Sequence, residues 1–132
     1  MVRASIVLCC FAGLVQACSC EVFPLAKERR VSREIFQATV ALQDQGVISL
    51  RVDRVWKGNV HAEEKIWVDP MCSAGPSDLK VGEEVLVFAM ERRRDSGVLH
   101  DVFILRGCTR TARVTQTKDV AKLGRSHPPS EH

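Results

Sequence analysis

Tyrosine is absent from the 132-residue sequence, and aromatic residues make up only 5% of it. That scarcity weighs against a single-stranded nucleic-acid binder, which needs aromatic platforms for successive bases. Phe88 and Phe103 fit strand core positions instead. A charge of one sign is also lacking. Against 19 Lys and Arg stand 16 Asp and Glu, a net charge of +3, which is too balanced to argue for nucleic acid on charge alone. Apolar runs long enough to discuss as membrane-inserted are missing beyond the extreme N-terminus, so a multi-span membrane protein is excluded. Internal repeats and low-complexity tracts are missing too. The hydrophobic share of 45% and charged share of 27% are those of a globular domain, and the length allows one.

Catalytic signatures are equally scarce. The histidines are His61, His100, His127 and His132, and none has a partner at metal-ligand spacing. No serine sits in a Gly-x-Ser-x-Gly turn, and no glycine-rich phosphate loop occurs. The expectation is a protein that is not an enzyme, with no cofactor and no metal of its own.

What is present begins with Met1-Val2-Arg3, followed by the apolar stretch Ala4 to Val15 and then Gln16-Ala17-Cys18. This is the layout of a secretory signal peptide, with Val15 and Ala17 supplying the small-residue cleavage pattern. The stretch is shorter than the roughly 20 residues that a bilayer span requires. Cleavage after Ala17 is expected, giving a signal peptide at 1–17, a domain at 18–124 and a flexible polar tail at 125–132. Val15-Gln16-Ala17-Cys18 also resembles a bacterial lipoprotein signal, in which Cys18 would be acylated. Localisation is therefore expected to be secreted, or periplasmic or lipid-anchored in a bacterium.

Four of the six cysteines would remain after cleavage: Cys18, Cys20, Cys72 and Cys108. An even number in a small exported chain suggests two disulfides. A bridge between Cys18 and Cys20 would be strained, since disulfides need a Cα separation of roughly 4.4–6.8 Å with specific Cβ directions. Each is expected to reach a distant partner, Cys72 or Cys108, in a pairing that spacing leaves open. Structural zinc is the rival, but the spacing lacks its paired cysteines.

Pro24 opens a polar stretch suited to a short helix. Strands are expected at 35–42, at 47–56 with an irregularity near its end, at 66–68, at 84–90 and at 98–105. The turns fall at Asp44-Gln45-Gly46 and Lys57-Gly58-Asn59. Arg92 to Gly97 reads as a charged hairpin loop. Its run Arg92-Arg93-Arg94 is read as a solvated tip rather than as a polyanion or acidic-lipid contact. One helical turn is expected at 120–123. Short strands with no βα alternation point to an all-β fold, a small five-stranded antiparallel barrel of the oligonucleotide/oligosaccharide-binding (OB) type with short flanking helices, stapled by disulfides.

The mature terminus Cys18-Ser19-Cys20 is the unusual chemical feature. A free α-amine has a pKa near 7.7–8.0, so part of it is neutral at neutral pH. That amine and the carbonyl oxygen of Cys18 can chelate one metal ion in a five-membered ring. Two disulfides would hold the terminus rigid and lower the ordering cost of binding. A terminus merely stapled for stability is the alternative.

These residues resemble the tissue inhibitors of metalloproteinases, members of the netrin-like group. The resemblance rests on Cys18-Ser19-Cys20 after a signal peptide, Val55-Trp56-Lys57-Gly58, Cys72, Gly82-Glu83 before Val85-Leu86-Val87-Phe88, and Gly107-Cys108, over about residues 18–112. It implies an OB-type barrel with bridges Cys18–Cys72 and Cys20–Cys108. It also implies that Cys18 sits on the catalytic zinc of a protease and displaces the attacking water. Ser19 would enter the adjoining substrate pocket, and Cys20, Glu21, Met71, Cys72 and Ser73 would form the surrounding ridge. The partner is then a zinc metalloproteinase, bound by a monomer. A non-inhibitory netrin-like envelope or extracellular module, lipid-anchored at Cys18, is the alternative.

Overall fold

The protein is described by a computed structural model covering residues 21–69, 76, 78–94, 101–105 and 108–131. Pro24 carries the φ of −55° that its ring imposes, and the helix α1 (Leu25–Val31) follows it directly. The Pro24 carbonyl accepts the amides of Lys27 and Glu28 at 3.0 Å each. At the other end the Lys57 ammonium donates to the carbonyls of Arg29 and Arg30, at 2.6 and 3.2 Å. A cation there satisfies orphan carbonyls and matches the negative end of the helix dipole.

Strands β1 (Glu34–Asp44) and β2 (Val47–Lys57) form the long hairpin at the centre of the sheet. Its two-residue turn has Gln45 at φ 50° and Gly46 at φ 80°, the left-handed pair whose twist suits a tight hairpin. The β1–β2 register slips three times, at Ile35/Phe36, Gln37/Ala38 and Val40/Leu42. Such irregularities bend the ribbon and increase its twist. Strand β3 (Glu63–Val68) pairs antiparallel with β2, and β4 (Glu84–Ala89) pairs antiparallel with β1. Then come β5 (Glu91–Arg93), β6 (Val102–Leu105) and β7 (Ala112–Arg113), a 3-10 turn (Val114–Gln116) and α2 (Asp119–Lys122). The sheet has seven strands in the order β5-β6-β3-β2-β1-β4-β7. Only Met90 separates β4 from β5 along the chain, and β4 also touches β6.

Alternation along β4 sorts its side chains onto two faces. Val85, Val87 and Ala89 enter the main core with Phe36, Leu50 and Phe103. Phe36 and Phe103 meet there with ring centroids 5.5 Å apart. Leu86 and Phe88 join Ile35 and Leu123 on the other face, under Leu25, Trp56 and Val120. A strand covered on both sides has to be apolar throughout, which is why β4 reads as an unbroken hydrophobic run.

The all-β expectation and the short helices hold among the described residues, but three details differ. Seven strands replace five, because β5 and β7 are short and carry no apolar alternation; backbone pairing alone defines them. The sheet is mixed rather than antiparallel, since β6 runs parallel to β3 through Ile66↔Phe103, Trp67↔Ile104 and Val68↔Leu105. The expected charged loop at 92–97 begins as a strand: Arg92 and Arg93 lie in β5 and pair with Phe103 and Val102.

The segment expected as a flexible tail is pinned along residues 127–130. Val55 and His127 exchange two backbone hydrogen bonds of 2.8 Å, Ser130 donates to Val60 at 2.8 Å, and Ala62 donates to Ser130 at 3.0 Å. Beyond Arg51, β2 has left β3, and its free backbone groups need partners that the polar composition of the tail does not reveal.

Candidate functional site

Most of the residues expected to carry function, namely Cys18, Ser19, Cys20, Met71, Cys72 and Ser73, lie outside the described residues. Glu21 is described and is exposed, ahead of α1. Cys108 is half-buried and disulfide-bonded. The other sequence cysteines all fall outside the described residues.

The described segments that flank these positions converge. Arg110, two residues past Cys108, forms a two-pronged ion pair with Asp119 at 2.7 and 2.8 Å. Its third nitrogen donates to the carbonyl of Phe23 at 3.1 Å, three residues past Cys20. Its backbone amide donates to Glu28 of α1 at 3.3 Å. Arg110 therefore holds the leading segment and α2 through its guanidinium and α1 through its backbone amide. Glu28 and Asp119 are buried, and they respond in opposite ways. Burial pushes the Glu28 carboxyl above the ordinary glutamate value, whereas the Arg110 hydrogen bonds hold Asp119 below the ordinary aspartate value. Thr109 and Thr111 fasten the same segment to β4 through Phe88, whose amide donates to Thr111 at 2.9 Å. On the far side, Asp69 donates to the Leu105 carbonyl at 2.9 Å.

The residues Val55-Trp56-Lys57-Gly58 have structural duties here. Trp56 donates from its indole to the Gly124 carbonyl at 3.0 Å, beyond α2. Lys57 closes α1. Gly58 has φ +87°, and a Cβ there would stand 2.6 Å from the Arg33 carbonyl and 2.7 Å from Glu34. Only glycine fits.

A second charged group lies at the opposite end of the β3–β6 pair. Arg92 donates to Glu64 at 3.0 Å and to Asp101 at 2.8 Å, and its guanidinium lies 4.1 Å from the centroid of Phe103. Its side chain is 10% exposed and that of Glu64 only 2%. Arg92 is thus a buried strap rather than a solvated tip. Next to it a cleft of about 520 Å³ opens against β1, β2 and β3. Sequence reasoning missed Glu64, Arg110 and Asp119. Glu64 and its partner Arg92 are remote in the chain, and the adjacent pair Glu63-Glu64 does not reveal which carboxylate turns inward.

Among the described residues no group of three or more His, Cys, Asp or Glu is placed to hold a metal. No helix among them is long and apolar enough to cross a membrane. No protein-family model and no curated protein matches the sequence.

Proposed function

We propose that this is a secreted, non-enzymatic, monomeric inhibitor of zinc metalloproteinases of the netrin-like type. It acts through the α-amine and carbonyl of a mature terminal Cys18, with Ser19, Cys20, Glu21, Met71, Cys72 and Ser73 around it. The observation that carries the reading is the Arg110 clamp, which ties the segment just after Cys20 to the segment just after Cys108. This favours a Cys20–Cys108 bridge, which leaves Cys72 as the partner of Cys18. A terminus fixed in this way would bring its two chelating atoms to a zinc ion with little ordering cost.

The barrel is part of the proposal. Strands β4 and β5 are joined through Met90 alone, yet they pair with β1 and β6 on opposite sides of the sheet order. That connection supports closure of β1, β2, β3, β6 and the β4–β5 pair into a five-stranded OB-type barrel.

The test compares protein beginning at Cys18 with protein carrying one extra Ala before it, against a panel of zinc metalloproteinases. The expected result is inhibition by the first and at least a hundred-fold loss in the second, with unchanged thermal unfolding. Equal inhibition by both, or inhibition of no protease by the first, overturns the reading. An acylated Cys18 in material from the native host has no free amine and would mark an anchored envelope module instead.

A further inference from the structure

The flank built by α1 and α2 carries a charge asymmetry that the net charge of +3 conceals. Residues 22–33 hold four cations against Glu28 alone, and residues 114–130 hold three against Asp119 alone. Both acids are buried, and Asp119 is taken up by Arg110. Exposed carboxylates are therefore missing from both stretches, and Glu21 lies just ahead of the first. Arg29, Arg30 and Arg33 are exposed on one stretch, and Lys118, Lys122 and Arg125 on the other.

The fold brings the two stretches together. Arg29 donates to the Leu123 carbonyl at 3.5 Å, and Leu25 and Val120 pack on the cluster that contains Leu123. Trp56 and Lys57, neighbours on β2, donate to Gly124 just past α2 and to the end of α1. The two helix C-termini, each with a basic last turn, therefore sit side by side. Matching the helix dipoles accounts for part of this charge, and Lys57 and Arg29 already bind the terminal carbonyls. Arg30, Lys118, Lys122 and Arg125 form no ion pair with a described residue. Like charges gathered without counter-charges repel one another, and an anionic partner relieves that repulsion.

The surroundings of these cations select the partner. Val22 is 43% exposed and Phe23 is half-buried at the leading edge of the flank, so apolar and basic groups share one surface. That mixture suits the boundary between headgroups and acyl chains of a bilayer. Neither described cleft is lined by any of the six cations, whereas a linear polyanion is tracked by a basic groove. The aromatic rings here are occupied by cations, Phe23 by Lys27 and Trp56 by Arg54, rather than open to nucleic-acid bases. Along the chain, the flank follows closely on Cys18, where the sequence reading puts signal cleavage or acylation. A polybasic patch is the kind of second signal that a single acyl chain needs for stable anchoring. We infer that the α1–α2 flank docks on an anionic phospholipid bilayer, independently of protease inhibition.

The test sediments the full disulfide-bonded chain with vesicles of phosphatidylcholine alone and with vesicles containing one-third phosphatidylglycerol. Each cation close to such a surface contributes roughly a five-fold gain in binding at moderate salt. Binding to the anionic vesicles is therefore expected to be at least ten-fold tighter, and high salt should abolish the difference. The double variant Arg30→Gln with Lys122→Gln is expected to lose at least ten-fold on anionic vesicles, while Arg30→Lys with Lys122→Arg binds as the parent does. Arg51→Gln with Lys65→Gln removes the same charge from exposed positions on β2 and β3 and should leave binding within two-fold. All these side chains are exposed, so melting temperatures should stay within a degree or two of the parent, checked by circular dichroism. Equal binding to both kinds of vesicle overturns the inference. So does an equal loss in the two glutamine double variants, or binding to a heparin fragment or an oligoglutamate peptide without binding to the anionic vesicles.

Discussion

The inner core and the flank formed by α1, α2 and the C-terminal segment are held together differently. The core is apolar and continuous, from Phe36 through Leu50 to Phe103. The flank has a small cluster of Ile35, Leu86, Phe88 and Leu123, and directional bonds supplement it: Arg110 to Asp119, Trp56 to Gly124, and Lys57 to the end of α1. Burial tolerates small shifts of its parts, whereas a hydrogen bond fixes distance and angle. The core therefore carries most of the stability, and the flank supplies positional precision where the leading segment joins the domain.

The sharpest way to break this contrast is to weaken each side in turn. Phe36→Ala empties the centre of the core and is expected to cost about 3–5 kcal/mol by denaturant unfolding. A loss below about 1 kcal/mol would mean that the core is not continuous. Asp119→Asn leaves Arg110 without its ionic partner and is expected to cost about 2 kcal/mol at neutral pH, less than a fully buried pair because Arg110 keeps some solvent contact.

The pH dependence sharpens the second result. The carboxyl of Asp119 is held below its unfolded value, so its contribution is present at neutral pH and disappears as pH falls through that lowered value. The Asn variant and the parent should therefore converge in acid. Glu28 has the opposite sign: its raised value favours folding in acid and is lost as pH rises through it. Glu28→Gln should gain on the parent as pH climbs above the ordinary glutamate range. Parallel curves for both variants would remove the Arg110 clamp from the account. The smallest effect belongs to Arg113→Ala. Arg113 binds the exposed Asp78 and the half-buried Glu83, and pairs whose carboxylates reach solvent are screened and weak. No measurable change in unfolding is expected.

The same division separates what was legible in the sequence from what was not. Period-two alternation in β2 and the apolar run of β4 put Leu50, Val52, Val85 and Val87 in the core without any structure, because burial on a pleated strand repeats every second residue. The turns at Gln45-Gly46 and Gly58 were legible from their backbone requirements. Arg92 was not. A basic residue beside two others looks like solvated charge, and only the parallel approach of β6 to β3 brings Glu64, Asp101 and the Phe103 ring to it. The pinned segment at 127–130 was hidden for the same reason: its partners are backbone atoms of β2, and backbone atoms leave no trace in composition. The expectations placed on Cys18, Cys20 and Cys72 lie outside the described residues.

That pinned segment also bears on how the chain reaches its final state. Ser130 bonds to Asn59 across 71 positions of sequence. During synthesis the far half of β2 is therefore made long before the residues that cover it. An uncovered strand edge is a template for pairing with any extended chain nearby. For that interval these backbone groups stay open, and the segment around His127 closes them on arrival.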